Sequence, residues 1–263
     1  MTASRPLSGR HALVTGAGGS IGAAVAGSLA EAGASLSLAG RRRGPLETVA
    51  AAIGPAQAIV LDGFDVTDSA AIERGLQSAR ARFGPVDLLI NNAGEAPSAP
   101  FHKTDPELWS RVIATDLNSV YLVTRAVLPD LKARGRDARI INIASTAGLK
   151  GYAYVSAYCA AKHGVIGLTR ALALELAKSG VTVNAVCPGY TDTPLIRKAA
   201  EEIKSKTGRT EDEALAMLAR ENPQGRLVTP KEVADAVLWL ASPGASSVNG
   251  QAIVIAGGEV MAG

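Results

Sequence analysis

The feature that most constrains this chain is a regular alternation of short apolar runs with longer segments of helical periodicity. The runs around residues 88–90 and 140–143 are apolar at neighbouring positions, which is typical of strands covered on both faces. Strands that alternate with helices predict an α/β fold in which helices cover both faces of a parallel sheet. The predicted strands are 11–15, 35–39, 58–61, 87–90, 139–144, 182–186 and 252–255, and the predicted helices are 20–32, 45–53, 69–82, 106–133, 156–178, 211–221 and 230–241.

The length of 263 residues allows one large α/β domain or two small ones. No stretch rich in Gly, Pro or Ser divides the chain, so we expect a single domain over residues 1–263. The longest break in the alternation, at about 191–230, precedes the last predicted strand. Because ligands of open α/β sheets bind beyond the carboxyl ends of the strands, we expect this segment to form a lid over the substrate.

Composition excludes several classes of protein. A hydrophobic content of 47% with 19% charged residues indicates a globular core, and a net charge of +3 is too small for a nucleic-acid groove. The two cysteines, Cys159 and Cys187, rule out a disulfide framework and favour a reducing, cytoplasmic location. Residues 1–10 lack the apolar stretch of a signal peptide, and no apolar run is long enough to span a membrane. We expect no metal site.

A glycine-rich turn follows the first predicted strand and opens the first predicted helix, in residues 15–22. Glycine permits positive φ, and it lets backbone N–H groups approach a pyrophosphate at the positive end of the helix. The pattern alone is also compatible with a tight structural turn. As a phosphate site, the turn would use Gly16, Ser20, Ile21 and Gly22.

The same turn permits a second interpretation. Residues 18–22 fit G-x-S-x-G, the nucleophile elbow of α/β-hydrolases, with Ser20 as the nucleophile. That chemistry needs an acid and then a histidine later in the chain, in a loop near the C-terminus. The histidines are His11, His102 and His163, and none lies there. A serine hydrolase is therefore disfavoured.

A basic run, residues 41–43, follows the second predicted strand. NAD sites usually carry an Asp or Glu at this place to bind the ribose 2′-hydroxyl, and no carboxylate is available here. A guanidinium group suits a 2′-phosphate instead. Arg41 therefore predicts a preference for NADP(H), with NAD(H) as the alternative, whereas Arg42 or Arg43 could simply begin a solvated helix.

Three residues have the chemistry for proton transfer. Ser145 follows the fifth predicted strand, and Tyr158 and Lys162 lie one turn apart on one face of a predicted helix. A free tyrosine has a pKa near 10, and a neighbouring ammonium group favours the phenolate. Ser145 could hold a substrate oxygen beside the phenol. The trio predicts proton transfer to or from that oxygen.

Together these motifs resemble the short-chain dehydrogenase/reductase family over essentially the whole chain. The matching segments are Thr15-Gly16…Gly22, Asp65-Val66, Asn91-Asn92-Ala93-Gly94, Ser145, Tyr158…Lys162 and Pro188-Gly189. The resemblance implies a doubly wound Rossmann fold with a seven-stranded sheet, a homotetramer or dimer, and hydride transfer between NAD(P)(H) and a ketone or secondary alcohol. It also implies that Tyr158 is the proton donor in reduction and the base in oxidation.

The resemblance further implies which residues bind the cofactor. Asp65 would hold the adenine amine, Lys162 the nicotinamide ribose and Thr193 the carboxamide, while Asn92 would support the sheet and the cofactor. The implied cofactor residues beyond the glycine-rich turn are Asp65, Val66, Asn92, Ala93, Gly94, Tyr158, Lys162, Pro188, Gly189, Thr191 and Thr193.

The chain departs from the family pattern at two places. Ser20 stands where many members have the middle glycine of the turn, and Asp116 stands where many carry a catalytic Asn, seven residues after Trp109. In the family that Asn keeps a water in place for a proton relay through the Lys. Asp116 could accept the same hydrogen bond while its charge alters Lys162, or it could be an ordinary helix residue.

The substrate is constrained by what the chain lacks. The segment 140–169 is similar to the 3-oxoacyl reductases and the 3-hydroxybutyrate dehydrogenases, and the latter grip a carboxylate with a His and a Lys that correspond here to Ala147 and Val155. Burying a carboxylate without donors is costly, so a short free acid is not expected. Tyr152, Tyr154 and Tyr190 instead offer apolar faces with polar tips.

We therefore expect a 3-oxoacyl or 3-hydroxyacyl thioester, or a cyclic or aryl ketone, as substrate. An NAD-dependent 3-hydroxyacyl or 3-hydroxybutyrate-type dehydrogenase is the alternative. A third possible function is that of a regulator that binds NADP(H) without catalysing a reaction.

Overall fold

The computed structural model describes residues 5–208 and 210–261, apart from the side chains at 195, 202 and 206. All seven predicted strands form: β1 (His11–Thr15), β2 (Ser35–Ala39), β3 (Ala58–Leu61), β4 (Leu88–Asn91), β5 (Arg139–Ile143), β6 (Thr182–Pro188) and β7 (Ala252–Ile255). They lie in one parallel sheet of order β3-β2-β1-β4-β5-β6-β7. The expected doubly wound sheet is confirmed.

The described α-helices are α1 (Ser20–Glu31), α2 (Arg43–Ile53), α3 (Ser69–Phe83), α4 (Pro106–Ile113), α5 (Ser119–Arg134), α6 (Ser156–Leu176), α7 (Pro194–Thr207), α8 (Glu211–Ala219) and α9 (Pro230–Ala241). They cover both faces of the sheet, because neighbouring apolar residues of one strand point to opposite faces. Leu13 and Ile140 belong to the core on the side of α3, α5 and α6, whereas Val14 and Ile141 belong to the core under α1 and α9, which pack together. No described helix has the length and hydropathy needed to span a bilayer.

The predicted helix over 106–133 is interrupted. A π-helical turn, Ala114–Asn118, separates α4 from α5. Such turns carry an extra residue and are frequent at functional sites. The side chain of Asp116, at the centre of this turn, is completely buried.

The segment predicted as a lid contains two helices rather than the single one expected. Thr193 caps α7 and Pro194 occupies its first turn, while Thr210 and Glu213 form a capping box that begins α8. The base of this insertion is closed by a bridge between Thr191 and Val228.

Candidate active site

The glycine-rich turn after β1 is held in shape by Asn92. The amide Nδ2 of Asn92 donates to the carbonyl oxygens of Thr15 and Gly16, at 2.9 and 3.1 Å. Gly16 has φ of 63°, and a Cβ at Gly22 would lie 2.4 Å from the Gly16 oxygen, so neither position accommodates a side chain. The first N–H groups of α1, at Ser20, Ile21 and Gly22, have no acceptor within a helix and are suited to a phosphate.

A cavity of about 410 Å³ extends from this turn across the ends of β2 and β3 to the loop after β4. It lies where the strand order reverses between β1 and β4, the place at which open α/β sheets bind dinucleotides. Its walls include Gly16, Arg41, Asp65, Val66, Ala93 and Gly94. The predicted residues for the adenosine half of a dinucleotide are thus brought together around one cavity.

The three arginines of the basic run have different surroundings. Arg43 begins α2 and pairs with Glu47 at 2.7 Å and with Asp62 at 3.8 Å. Arg41 and Arg42 line the cavity, and their guanidinium groups form no ion pair with any described residue. The structure therefore offers two free guanidinium groups for a 2′-phosphate. The sequence predicts only Arg41 as a site residue, and the position of Arg42 directly after it in the same basic run is the signal that it shares the site.

The carboxylate of Asp65 faces the same cavity. The hydroxyl and the backbone N–H of Thr67 donate to its Oδ1, at 2.7 and 2.9 Å. These hydrogen bonds hold the pKa of Asp65 below its usual value. Asp65 therefore presents an ionised acceptor, which suits an amine such as that of adenine.

Ser145, Tyr158 and Lys162 meet at the carboxyl ends of β5 and β6. The Ser145 hydroxyl accepts a hydrogen bond from the Ala147 N–H at 3.1 Å and lies 3.5 Å from the Pro188 carbonyl oxygen. Tyr158 and Lys162 lie one turn apart on α6, and the Lys162 Nζ is 5.5 Å from the centre of the Tyr158 ring. The predicted proton-transfer trio is therefore assembled in one place.

The trio is electrostatically coupled. Burial raises the pKa of the Tyr158 phenol, and the Lys162 ammonium and the Ser145 hydroxyl oppose that rise. Burial would lower the pKa of Lys162, but the Asp116 carboxylate together with Tyr158 holds it above its usual value. Lys162 is therefore charged at neutral pH, and Tyr158 holds its proton.

Asp116 lies inside the site and is not a surface residue of a helix. Its Oδ1 is 3.3 Å from the Lys162 Nζ, and both its oxygens accept from the Glu95 N–H at 3.3 and 3.2 Å. A Cβ at Gly94 would lie 2.5 Å from the same Oδ1. The carboxylate thus packs directly against the loop after β4, and Gly94 leaves the room for it.

The four predicted substrate residues have different places. Tyr152 and Tyr190 are in edge-to-face contact with ring centres 6.1 Å apart, and Ala147 is buried in the turn after Ser145. Tyr154 is 64% exposed at φ of 68°, a conformation that residues other than glycine adopt rarely. Tyr152 and Tyr190 therefore form one wall, which Tyr154 does not join by any ring contact among the described residues.

Sequence reasoning missed two charged residues beside this wall. The Lys150 Nζ is 3.0 Å from the Glu259 Oε1, and the Tyr152 hydroxyl donates to the same carboxylate. The Glu259 side chain is buried. Lys150 lies between Ser145 and Tyr158 in the sequence, which was a usable signal, whereas nothing local marked Glu259.

The loop after β6 uses its two threonines internally. The Thr191 hydroxyl donates to the Gly189 carbonyl oxygen at 3.0 Å, and the Thr193 hydroxyl accepts from the Ile196 N–H at 3.5 Å. Thr191 is buried. The structure thus gives Thr191 a contact that shapes the loop, and it places Thr193 at the start of α7.

The geometry gives no support to a hydrolase built on Ser20. Ser20 is the first residue of α1, and no hydrogen bond joins it to a histidine in the part of the chain that the structure describes. The His11 ring contacts Ser37 at 2.9 Å, and the His163 ring contacts the Cys159 carbonyl at 2.8 Å. A catalytic triad is therefore not assembled around Ser20.

Comparison with known proteins agrees with this geometry. Residues 10–204 match the family described as short chain dehydrogenase. The chain is 42% identical to a Streptomyces virginiae protein named as a ketoacyl reductase of monensin polyketide synthase, over 95% of this chain and 96% of that protein. It is 40% identical to the D-beta-hydroxybutyrate dehydrogenase of Cupriavidus necator, over 97% and 99% of the two chains.

A solved structure is also similar. It is a crystal structure of a variant of the actinorhodin polyketide ketoreductase with NADPH, with a TM-score of 0.89, 38% identity and coverage of 95% of this chain and 97% of that one. The predicted resemblance to ketoacyl reductases and hydroxybutyrate dehydrogenases is confirmed. The chain belongs to the short chain dehydrogenase family and is a nicotinamide-dependent oxidoreductase that acts between ketones and secondary alcohols.

Proposed function

We propose that this enzyme uses NADP(H) to interconvert a ketone and a secondary alcohol, with Tyr158 as the proton donor in reduction and the proton acceptor in oxidation. The proposal rests on one observation: Ser145, Tyr158 and Lys162 come together at the carboxyl ends of the strands, on the same side of the sheet as the cavity suited to a dinucleotide. When bound, the dinucleotide supplies or accepts the hydride. The protein supplies orientation and the proton.

Each member of the trio has a distinct role. The Ser145 Oγ accepts from the Ala147 N–H, and its hydroxyl lies beside the Tyr158 phenol, so the two hydroxyl groups can hydrogen-bond the same substrate oxygen. Burial keeps the Tyr158 phenol protonated, ready to protonate that oxygen during reduction. In the reverse direction Lys162 stabilises the phenolate.

Asp116 acts on the reaction through Lys162. Its carboxylate raises the pKa of the ammonium group and fixes that group in place, together with the Ile143 carbonyl oxygen, which accepts from Nζ at 3.1 Å. A fixed ammonium group is what the phenolate of Tyr158 needs as a partner. Asp116 therefore takes the place of the Asn of the family pattern, with a charge in addition.

NADP(H) rather than NAD(H) is the proposed cofactor because Arg41 and Arg42 face the cavity with no ion-pair partner among the described residues. The related ketoreductase solved with NADPH supports this preference. Thr191 acts indirectly, through Gly189. The proposed cofactor contacts are Gly16, Ser20, Ile21, Gly22, Arg41, Arg42, Asp65, Val66, Asn92, Ala93, Gly94, Tyr158, Lys162, Pro188, Gly189 and Thr193.

A 3-oxoacyl thioester or a cyclic or aryl ketone is the proposed substrate. Ala147 and Val155 provide no donor for a free carboxylate, and the wall formed by Tyr152 and Tyr190 is aromatic. The ketoacyl reductases among the relatives support this class. The alternative, a 3-hydroxybutyrate-type dehydrogenase, is less well supported, because this chain has neither the His nor the Lys with which that branch binds the substrate carboxylate.

The insertion at 191–230 is the proposed lid. Its two ends are joined by the bridge of Thr191 to Val228, and hydrogen bonds of 2.8 to 2.9 Å link Asp192 and Tyr190 to Val228. The helices α7 and α8 pack on each other beyond this closed base. They can therefore move together as one unit over the substrate wall.

We also propose a homotetramer in the cytoplasm. Tyr121 on α5, Leu174 on α6 and Trp239 on α9 are 49, 82 and 45% exposed, and large exposed apolar side chains favour association. Both cysteines are free, which suits a reducing compartment. Sedimentation or light scattering of the purified chain measures the assembly.

The substitution Tyr158→Phe tests the proposed function. We expect it to abolish NADPH-dependent ketone reduction while the binding of NADPH, measured by fluorescence, stays within about twofold of the wild type. Ser20→Ala keeps the backbone N–H through which Ser20 would contact the cofactor, so it should retain turnover, whereas a hydrolase built on Ser20 would lose it. Undiminished turnover by Tyr158→Phe would refute the role of the phenol, and no turnover by the wild type would favour a cofactor-binding regulator.

A further inference from the structure

A buried polar cluster lies beside the wall formed by Tyr152 and Tyr190. Glu259, in the segment after β7, meets Lys150 and Tyr152, which lie between Ser145 and α6. The Glu259 Oε1 is 3.0 Å from the Lys150 Nζ and accepts a hydrogen bond from the Tyr152 hydroxyl. The Tyr152 hydroxyl is also 2.6 Å from the Thr146 hydroxyl. One carboxylate oxygen of Glu259 is therefore fully used.

The other oxygen of the same carboxylate has no partner. The Glu259 side chain is 1% exposed, and Oε2 has no hydrogen-bond donor among the described residues. Buried polar atoms without a partner are rare, because their lost hydration is not replaced. An orphaned acceptor beside a substrate wall therefore indicates a ligand that brings the donor.

The position of Oε2 connects it to the reacting groups. A Cβ at Gly189 would lie 2.7 Å from this oxygen. Oε2 therefore fits in its position because Gly189 has no side chain. Gly189 follows Pro188, whose carbonyl oxygen is 3.5 Å from the Ser145 hydroxyl. The free oxygen of Glu259 thus lies against the residue that directly follows the carbonyl partner of Ser145.

The charge of the cluster favours donors and disfavours anions. Lys150 also pairs with Glu221 at 3.2 Å, on the side of α8, so that one ammonium group serves two carboxylates. Burial and the Glu259 carboxylate raise the pKa of the Tyr152 phenol, which therefore remains a neutral donor to Glu259. The cluster keeps one negative charge in excess. A free carboxylate on the substrate would be repelled.

We propose that Glu259 determines substrate specificity by accepting, at Oε2, a hydrogen bond from a hydroxyl group of the substrate. The inference rests on the proposed function and narrows its substrate class to ketones that carry a hydroxyl group near the reacting carbon. Ketones that carry a carboxylate in that place are poor substrates.

The substitution Glu259→Gln has a defined consequence. The amide oxygen must face Lys150 and Tyr152, because both are donors, so the amide NH₂ takes the place of Oε2. The variant therefore turns an acceptor into a donor at that place. Glu221→Gln makes the same chemical change on the other side of Lys150 and leaves Oε2 untouched, which makes it the matched control.

The experiment compares kcat/KM with NADPH for cyclohexanone, for 2-, 3- and 4-hydroxycyclohexanone and for 4-oxocyclohexanecarboxylate. We expect the wild type and Glu221→Gln to prefer at least one hydroxylated ketone over cyclohexanone by about tenfold or more. In Glu259→Gln that ratio should fall to about one. Both variants remove one negative charge from the cluster, so in both the ratio for the carboxylate relative to cyclohexanone should rise.

The possible results separate the two proposals. Reduction of all the neutral ketones at similar efficiency by the wild type, or an unchanged ratio in Glu259→Gln, would overturn the assignment of Glu259 and leave the ketone reductase intact. Reduction of none of them by the wild type would overturn the proposed activity on cyclic ketones itself. The wild-type ratios need no variant, so they test the inference even if Glu259→Gln does not fold.

Discussion

The substitution Asp116→Asn removes a charge from the centre of the site without changing its shape. The carboxylate lies 3.3 Å from the Lys162 Nζ, which is itself 5.5 Å from the centre of the Tyr158 ring. The carboxylate is therefore within about 9 Å of the ring, and at an effective dielectric constant of about 20 it disfavours the phenolate by about 2 kcal/mol. Removal of the charge should therefore lower the pKa of Tyr158.

The direction of this change in the pKa of Tyr158 can be measured in the oxidation of an alcohol. Oxidation needs the phenolate, so its kcat/KM rises with pH as Tyr158 loses its proton. Asp116→Asn should move this rise toward lower pH, because the phenolate no longer faces the carboxylate charge. The measurement is the pH profile of NADP⁺ reduction with an alcohol that the wild type oxidises.

The control is Asp235→Asn, which removes an exposed carboxylate paired with Lys231 and should leave the profile in place. An unchanged profile in Asp116→Asn would show that the carboxylate carries no charge that Tyr158 senses. A shift toward higher pH would show that Lys162 loses its own charge without Asp116. Either result would refute the reasoning.

Three further predictions concern the cofactor, the packing of the site and the stability of the fold. Arg41→Ala should raise the KM for NADPH by about tenfold with little effect on the KM for NADH. The control Arg43→Ala removes the ion pair inside α2 and should change neither KM. Equal use of NADPH and NADH by the wild type would contradict the role of Arg41. Gly94→Ala places a methyl group 2.5 Å from the Asp116 Oδ1 and should destabilise the protein by about 1–3 kcal/mol in urea unfolding; no loss of stability would mean that the carboxylate yields freely. Thr229→Ala removes the capping box of α9 and should cost about 1 kcal/mol of unfolding free energy, which Thr229→Ser should restore.

The sheet could be predicted from the sequence because its signal is local. A run such as Ile140-Ile141 is apolar toward both helical layers, so it identifies a covered strand without knowledge of its neighbours. The break between α4 and α5 had no such signal. The apolar periodicity continues through 106–133. The π-helical turn, with its extra residue, accompanies the contact of Asp116 with the loop after β4, which is distant in the sequence. The helix α7 did have a local signal, the cap Thr193 followed by Pro194.

The site shows the same limit. Tyr158 and Lys162 could be paired from the sequence because one helix carries both, and the assembled geometry agrees. The partnership of Tyr152 with Glu259 joins residues 107 positions apart, and it exists only because β7 lies beside β6 in the sheet. No spacing rule connects such residues. Long-range polar contacts of this kind required the structure.

The most direct test of the account is the transfer of deuterium from NADPH labelled at the nicotinamide C4 to a ketone. The purified enzyme is incubated with the labelled cofactor and, separately, a 3-oxoacyl thioester or a cyclic ketone, and the product alcohol is analysed by mass spectrometry. Stereospecific hydride transfer predicts one deuterium at the carbinol carbon of the alcohol when one C4 position carries the label, and none when the other does. An alcohol without deuterium from either labelled cofactor, or no alcohol from any of these ketones, would contradict it.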